Sequence, residues 1–181
     1  MRRPFSICLI ILFCLGCREA TALKGDEIQP LVNEEYFRVL QEQINKARQE
    51  IIISSFLFKT SSSPASYTRR IQASLRNAAH RGVRIRVLLE RSDRDENNRS
   101  NDETALILKD AGIEVFYDDP KKTTHVKMAI IDRSIVIIGS HNLTESALRY
   151  NNETSVLIQS HSLAVYFLKY LASIYPGAIQ K

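Results

Sequence analysis

The chain has 181 residues, with 25 lysines and arginines against 20 aspartates and glutamates and a net charge of +5. An excess of that size serves solubility and does not by itself identify a polyanion as the ligand. All three cysteines, Cys8, Cys14 and Cys17, lie near the N-terminus, so a chain that loses this segment has neither disulfides nor cysteine-bound zinc.

The opening carries Arg2 and Arg3, an apolar stretch from Ile7 to Leu15, and then small residues. That order predicts an export signal, because the stretch falls short of the roughly 20 helical residues needed to cross a bilayer. Ala20-Thr21-Ala22 offers a cleavage site, making 1–22 a signal peptide and 23–181 a single domain. The alternative is a lipid anchor at Cys17, after Gly16, although Cys14 stands where such a signal usually has leucine. The expected location is therefore periplasmic or secreted, or that of a membrane-attached lipoprotein. The chain cut after Ala22 has 22 basic and 19 acidic residues, near +3, and is long enough to bury its own core.

From Glu34 to Arg48 the residues Phe37, Leu40, Ile44 and Ala47 recur at helical spacing, and Ile51 to Phe58 reads as a buried strand. The domain is thus expected to open with a helix. Lys59 to Ser66, with three serines in a row and Pro64, is a loop. A second helix runs from Tyr67 to His80 and stops at Gly82, after which Val83, Ile85, Val87 and Leu89 alternate as a strand. Arg91 to Asn101 has no apolar residue, which predicts a mobile loop at a strand end, where α/β proteins often bind ligands. A third helix, Asp102 to Ala111, leads through Gly112 to a strand from Ile113 to Tyr117. Beyond a predicted hairpin come a helix near Thr144 to Tyr150, a strand near Thr154 to Ile158, and a last helix carrying Leu163, Phe167, Leu168, Leu171 and Ile174. Such alternation predicts an α/β fold with a mixed sheet flanked by helices on both faces.

The hairpin, HVKMAIIDRSIVIIGSHN from His125 to Asn142, holds the most informative residues. Side chains alternate along a strand, so His125 and Lys127 share a face while Val126, Met128 and Ile130 take the other as the apolar core face. A two-residue turn at Asp132-Arg133 sets Ser140 opposite His125, and one at Arg133-Ser134 sets Asn142 there. Either turn puts Ser140 and Asn142 on the face of His125 and Lys127. Imidazole, ammonium, hydroxyl and amide together suit a phosphodiester: histidine as nucleophile or acid, Lys127 as a point charge, Ser140 and Asn142 as donors to the phosphoryl oxygens. A helix starting near Asn142 adds free backbone N–H groups. The scheme needs no metal ligand and no cofactor. The second ring nitrogen of a nucleophilic histidine needs an acceptor, for which Glu153 is the first candidate and Glu145 and Asp132 the others. Lys121 and Lys122, just before the hairpin, are candidate phosphate contacts, whereas Arg69, Arg70, Arg76, Arg81, Arg84 and Arg86 read as a solvated face.

HVKMAIID followed by GSHN resembles the signature of the phospholipase D superfamily, in the order and spacing of His125, Lys127, Asp132, Gly139, Ser140 and Asn142. Asn151-Asn152-Glu153 resembles the family's downstream stretch, whose glutamate binds the catalytic histidine, and the likeness extends from about Glu34 to Tyr175. It is nearest the small secreted members with one motif per chain, which include non-specific bacterial endonucleases. The resemblance implies a phosphohistidine mechanism without metal and a homodimer with two motifs meeting at the two-fold axis. His141 departs from the aromatic residue common in nuclease-like members, and is either a pocket-lining residue or an ordinary turn histidine. Asp132 fits the motif, but its place in the hairpin favours a supporting role over direct chemistry. The expected function is that of an exported phosphodiesterase acting on DNA or RNA. Hydrolysis of phospholipid headgroups is the alternative, and a nucleic-acid binding module without activity is disfavoured by the intact motif.

Overall fold

The computed structural model describes residues 27–93 and 97–179, so the export segment, its cleavage position and Cys17 lie outside the described residues. Its strands are β1 (Glu27–Val32), β2 (Glu50–Ser55), β3 (Arg84–Leu89), β4 (Glu114–Tyr117), β5 (Lys127–Ile131), β6 (Ile135–Gly139) and β7 (Thr154–Gln159). The helices are α1 (Glu34–Lys46), α2 (Tyr67–His80), α3 (Asn97–Asp110), α4 (Glu145–Arg149) and α5 (His161–Ile174). One mixed sheet runs in the order β1-β7-β6-β5-β2-β3-β4. The pairs β2–β3 and β3–β4 are parallel, with α2 and α3 as their crossovers, and the other pairs are antiparallel.

A sheet covered on both faces demands strands that are apolar on both faces, and β2 meets this with Ile51, Ile52 and Ile53. Ile51 and Ile53 pack with Phe37, Leu40, Ile71 and Leu75 from α1 and α2, while Ile52 joins Ala164, Leu168 and Leu171 from α5. In α2, Ile71, Leu75 and Ala78 form a buried stripe, and the Ser66 hydroxyl caps the helix by accepting from Arg69 N.

Four expectations needed correction. Among the described residues the first element is β1, not a helix. This strand pairs only with β7 and is exposed except at Leu31, and an edge is where Pro30, which has no N–H to give a ladder, is tolerated. The strand β2 ends at Ser55, and Phe58 makes only an isolated bridge with Leu143. The stretch expected to be a mobile loop already turns helical at Asn97. Asn101 is fully buried there, accepting from Phe58 N at 2.9 Å and donating to the Phe56 and Glu90 carbonyls at 3.1 and 2.9 Å. Arg86, finally, is no surface residue: it is 3% exposed, between Glu50 and Glu114.

The hairpin forms, but with three connecting residues, since Ile131 pairs with Ile135. Asp132 and Arg133 both take the left-handed conformation, with φ of 49° and 51°. The Asp132 carboxylate accepts from the backbone N–H of Arg48, Gln49 and Glu50 at 2.9, 2.8 and 3.0 Å. Arg133 reaches Glu50 at 2.5 Å. The turn is thereby pinned to the start of β2. Asp132→Ala is expected to cost about 2 to 4 kcal/mol in denaturant unfolding, because three backbone donors lose a charged acceptor. A loss below about 0.5 kcal/mol would show that water replaces the carboxylate.

Candidate active site

The odd connection changes which residues meet. Met128 pairs with Ile138, which sets Gly139 opposite Lys127. Continued regularly, β6 would send Ser140 and Asn142 to the other face from His125 and Lys127, against expectation. The sheet avoids this by ending β6 at Gly139, after which the chain leaves the ladder toward the segment that follows β2. There Leu143 N donates to Leu57 O, and Lys59 N to Leu143 O, both at 3.0 Å. The facing of β5 is corrected too: Ala129 and Ile131, on the side of Lys127, are as buried as Met128 and Ile130.

His125 lies exposed just ahead of β5, and Lys127 is its first residue, 8% exposed. The His125 Nε2 and Lys127 Nζ atoms are 3.2 Å apart. A lysine ammonium only donates, so Nε2 carries the lone pair and Nδ1 the proton. Phe56 holds both groups. Its ring meets the imidazole edge to face at 4.4 Å, and the Lys127 ammonium lies 4.9 Å from the ring centre. Phe56 N also donates to Val126 O at 2.9 Å. Burial, and then the Lys127 charge, push the imidazole below its ordinary range. Burial also lowers Lys127, and the Glu153 carboxylate opposes that shift.

Glu153 does not hold His125 within the chain. It accepts a short hydrogen bond from the Ser140 hydroxyl and another from Asn151 Nδ2 at 3.1 Å. Ser140 Oγ in turn accepts from Thr154 N at 3.1 Å. The Glu153 backbone is clasped by Asn33, whose N–H donates to Glu153 O and whose Oδ1 accepts from Glu153 N, both at 3.0 Å. Asn33 adopts φ 49° and ψ −127° to do so. It stands at the N-cap position of α1, yet makes no side-chain cap bond. Neither it nor Phe56 was legible as a site residue.

His125, Lys127, Ser140 and Glu153 thus converge, and Asn142 follows two residues after Ser140, with its Oδ1 buried and unpartnered. Glu145 is engaged elsewhere, accepting from Tyr67 N at 2.7 Å. Asp132 sits at the far end of β5, roughly 17 Å away at about 3.4 Å per strand residue, which removes it from the chemistry. His141 is 1% exposed and stacks on Tyr36 at 4.2 Å. Its Nε2 meets Asn33 O at 3.1 Å and its Nδ1 meets Ser155 Oγ at 2.7 Å, so it supports the Asn33 clasp from within the fold. Lys121 and Lys122 lie exposed in the turn after Asp119, and Lys122 lines a cleft that also borders His125.

The family model described as cardiolipin synthase, PLD-like domain, matches residues 40–175. A protein named phospholipase D from Rickettsia prowazekii is 33% identical over 132 residues, which cover 73% of this chain and 58% of that protein. The human mitochondrial cardiolipin hydrolase is 34% identical over 89 residues, covering 49% of this chain and 34% of its own length. The chain therefore spans less than two thirds of these curated relatives. Among solved structures, the phospholipase D family member Nuc from Salmonella typhimurium superposes with a TM-score of 0.70 at 23% identity, over 83% of this chain and 94% of that one. NucT from Helicobacter pylori gives 0.68 at 20% identity, over 83% and 96%. These two likenesses concern the fold.

Proposed function

The chain belongs to the phospholipase D superfamily, and on that footing we propose that it is an exported phosphodiesterase that cleaves nucleic acid without metal, through a phosphohistidine. The observation that carries the reading is the exposed imidazole whose Nε2 stands 3.2 Å from a buried ammonium. Held in the neutral form, with its lone pair beside a positive charge, His125 is set to attack a phosphorus whose oxygens Lys127 draws in. The N–P bond forms as the P–O bond to the leaving group breaks, and a second imidazole, in its protonated form, gives a proton to the departing oxygen. Water then displaces the histidine and returns a proton to that second imidazole. Asn142 supplies amide donors to the phosphoryl oxygens. Ser140, already bonded to Glu153, fixes that carboxylate near Lys127 and so helps keep the ammonium charged.

The second imidazole comes from another copy. His141 is buried with both nitrogens engaged, His161 bonds Arg133 O in the turn at the far end of β5, and His80 sits in the last turn of α2. A homodimer that brings two His125 residues together supplies nucleophile and acid from one motif per chain. Export rests on the apolar N-terminal stretch, with lipidation at Cys17 as its variant. The names of the curated relatives favour a second reading, hydrolysis of phospholipid.

Purified protein is expected to cleave DNA or RNA in excess EDTA and to sediment as a dimer. Loss of activity on chelation, restored by magnesium or zinc, would overturn the metal-free mechanism, and a fully active monomer the shared site. Cleavage of phosphatidylcholine vesicles but not of nucleic acid would replace the substrate. Neutralising Lys121 and Lys122 together is expected to flatten the slope of log affinity against log salt by up to about 2, near one for each phosphate that a lysine no longer neutralises. An unchanged slope would remove both from the substrate path.

A further inference from the structure

Beside His125 opens a cleft of about 330 Å³ whose chemistry differs from that of the phosphate site. One wall is apolar and aromatic, from Val126 of the strand approach and Tyr170 and Ile174 of α5, with Tyr170 47% exposed. The polar lining includes Lys122 and the carboxylates of Asp118 and Asp119. Asp118 is buried, its Oδ1 accepting from Arg91 N at 2.7 Å, whereas Asp119 is exposed, its Oδ1 accepting from Lys121 N at 3.0 Å.

With Lys122 set against two carboxylates the cleft has no excess of positive charge to hold a second phosphate within it, so it is matched to an uncharged part of the substrate that carries hydrogen-bond donors. A flat ring with amino or imino N–H groups on its edge meets both conditions: its face stacks on an exposed tyrosine, and its edge donates to a carboxylate. An ammonium headgroup satisfies the carboxylates as well, but Lys122 at the same cleft opposes a cation and a single aromatic ring makes no cage. Resting on the nuclease reading above, we propose that this cleft is a nucleobase subsite. It takes the base of a nucleotide next to the scissile phosphate, with Tyr170 as the stacking platform and the exposed Asp119 as the edge acceptor. The substrate strand must then be single or locally opened, because a paired and stacked base presents neither face nor edge to such a cleft.

The experiment compares kcat/KM, in EDTA, for a single-stranded deoxycytidine decamer and for a decamer of abasic deoxyribose analogues with the same phosphates. The wild type is expected to favour the base-bearing strand by about tenfold or more, the scale of one stacked base. Tyr170→Ala should bring the ratio close to one, Tyr170→Phe should retain it, and Asp119→Asn should lower it. Far-ultraviolet circular dichroism identifies any variant that has not folded, and Tyr170→Phe preserves the test if Tyr170→Ala is among them. If the wild type cleaves both decamers equally, or Tyr170→Ala keeps the preference, the subsite is refuted while the nuclease reading stands. If the wild type cleaves neither decamer but hydrolyses phosphatidylcholine vesicles, both fall.

Discussion

His125→Asn is expected to lower turnover by about 10⁴-fold or more while leaving the fold intact. Asparagine keeps a polar group of similar reach but has no lone pair fit to attack phosphorus, and a step that loses its nucleophile keeps only the contribution of binding and charge. Stability should move by no more than about 0.5 kcal/mol, because the side chain is exposed and its contacts are the Phe56 ring edge and the Lys127 ammonium. The same imidazole sets the acid limb of the pH profile. The partial desolvation of its ring first, and the Lys127 charge second, hold it below the ordinary value of 6.5. The reactive neutral form therefore persists below pH 6.5, and kcat/KM falls only as pH drops through the lowered value. Lys127→Met should raise that limb while lowering the plateau, since it removes one of the two causes and also the phosphate ligand. A near wild-type rate in His125→Asn would end the phosphohistidine mechanism.

Several elements were legible because they are written as apolar periodicity. The buried stripe of α2, the isoleucines of β2 and the alternation in β3 each answer to a period that burial imposes. What stayed hidden was written in other terms. The strand β1 is held by its ladder with β7 and buries only Leu31, so it leaves no periodic trace. The hairpin register depended on Asp132 and Arg133 accepting a left-handed backbone without glycine, which the three backbone bonds at Asp132 and the pairing of Arg133 with Glu50 make tolerable. That single residue of register decided which face Ser140 was expected to take. At the site, His125 and Lys127 were legible as neighbours two apart on an extended chain. The partner of Glu153 was not, because whether it meets His125 or Ser140 depends on how the chain leaves β6. His141 illustrates the same limit: nothing local distinguishes a turn histidine from one that stacks on Tyr36, more than a hundred residues earlier in the chain.

Gly139→Ala is expected to be the most damaging small substitution near the site. The glycine of the Gly-Ser-x-Asn stretch reads in sequence as part of a phosphate-handling set, but the structure gives it a packing duty. A Cβ built there would fall inside contact distance of Ser155 Oγ, Ser155 Cα and the Thr154 carbonyl oxygen. Two of these three atoms are backbone of β7, so no rotamer change relieves the overlap and the strands must separate. Gly139 pairs with Ser155, and Thr154 both accepts from Ser140 N at 2.9 Å and donates to Ser140 Oγ at 3.1 Å. Displacing β7 therefore moves Ser140 and Glu153 together. Overpacking of this kind costs about 3 kcal/mol or more when backbone must give way, which lowers the melting temperature by roughly 6 to 12 °C in a domain of this size. Ser155→Ala in the same chain should recover only a part, because it removes one of the three clashing atoms and also the hydroxyl that meets His141 Nδ1 at 2.7 Å. Thermal and denaturant unfolding of the two variants, together with their rates on a DNA substrate, test the account. Should Gly139→Ala melt within about 1 °C of the wild type, β6 and β7 are not in the close contact that places Glu153 near Lys127.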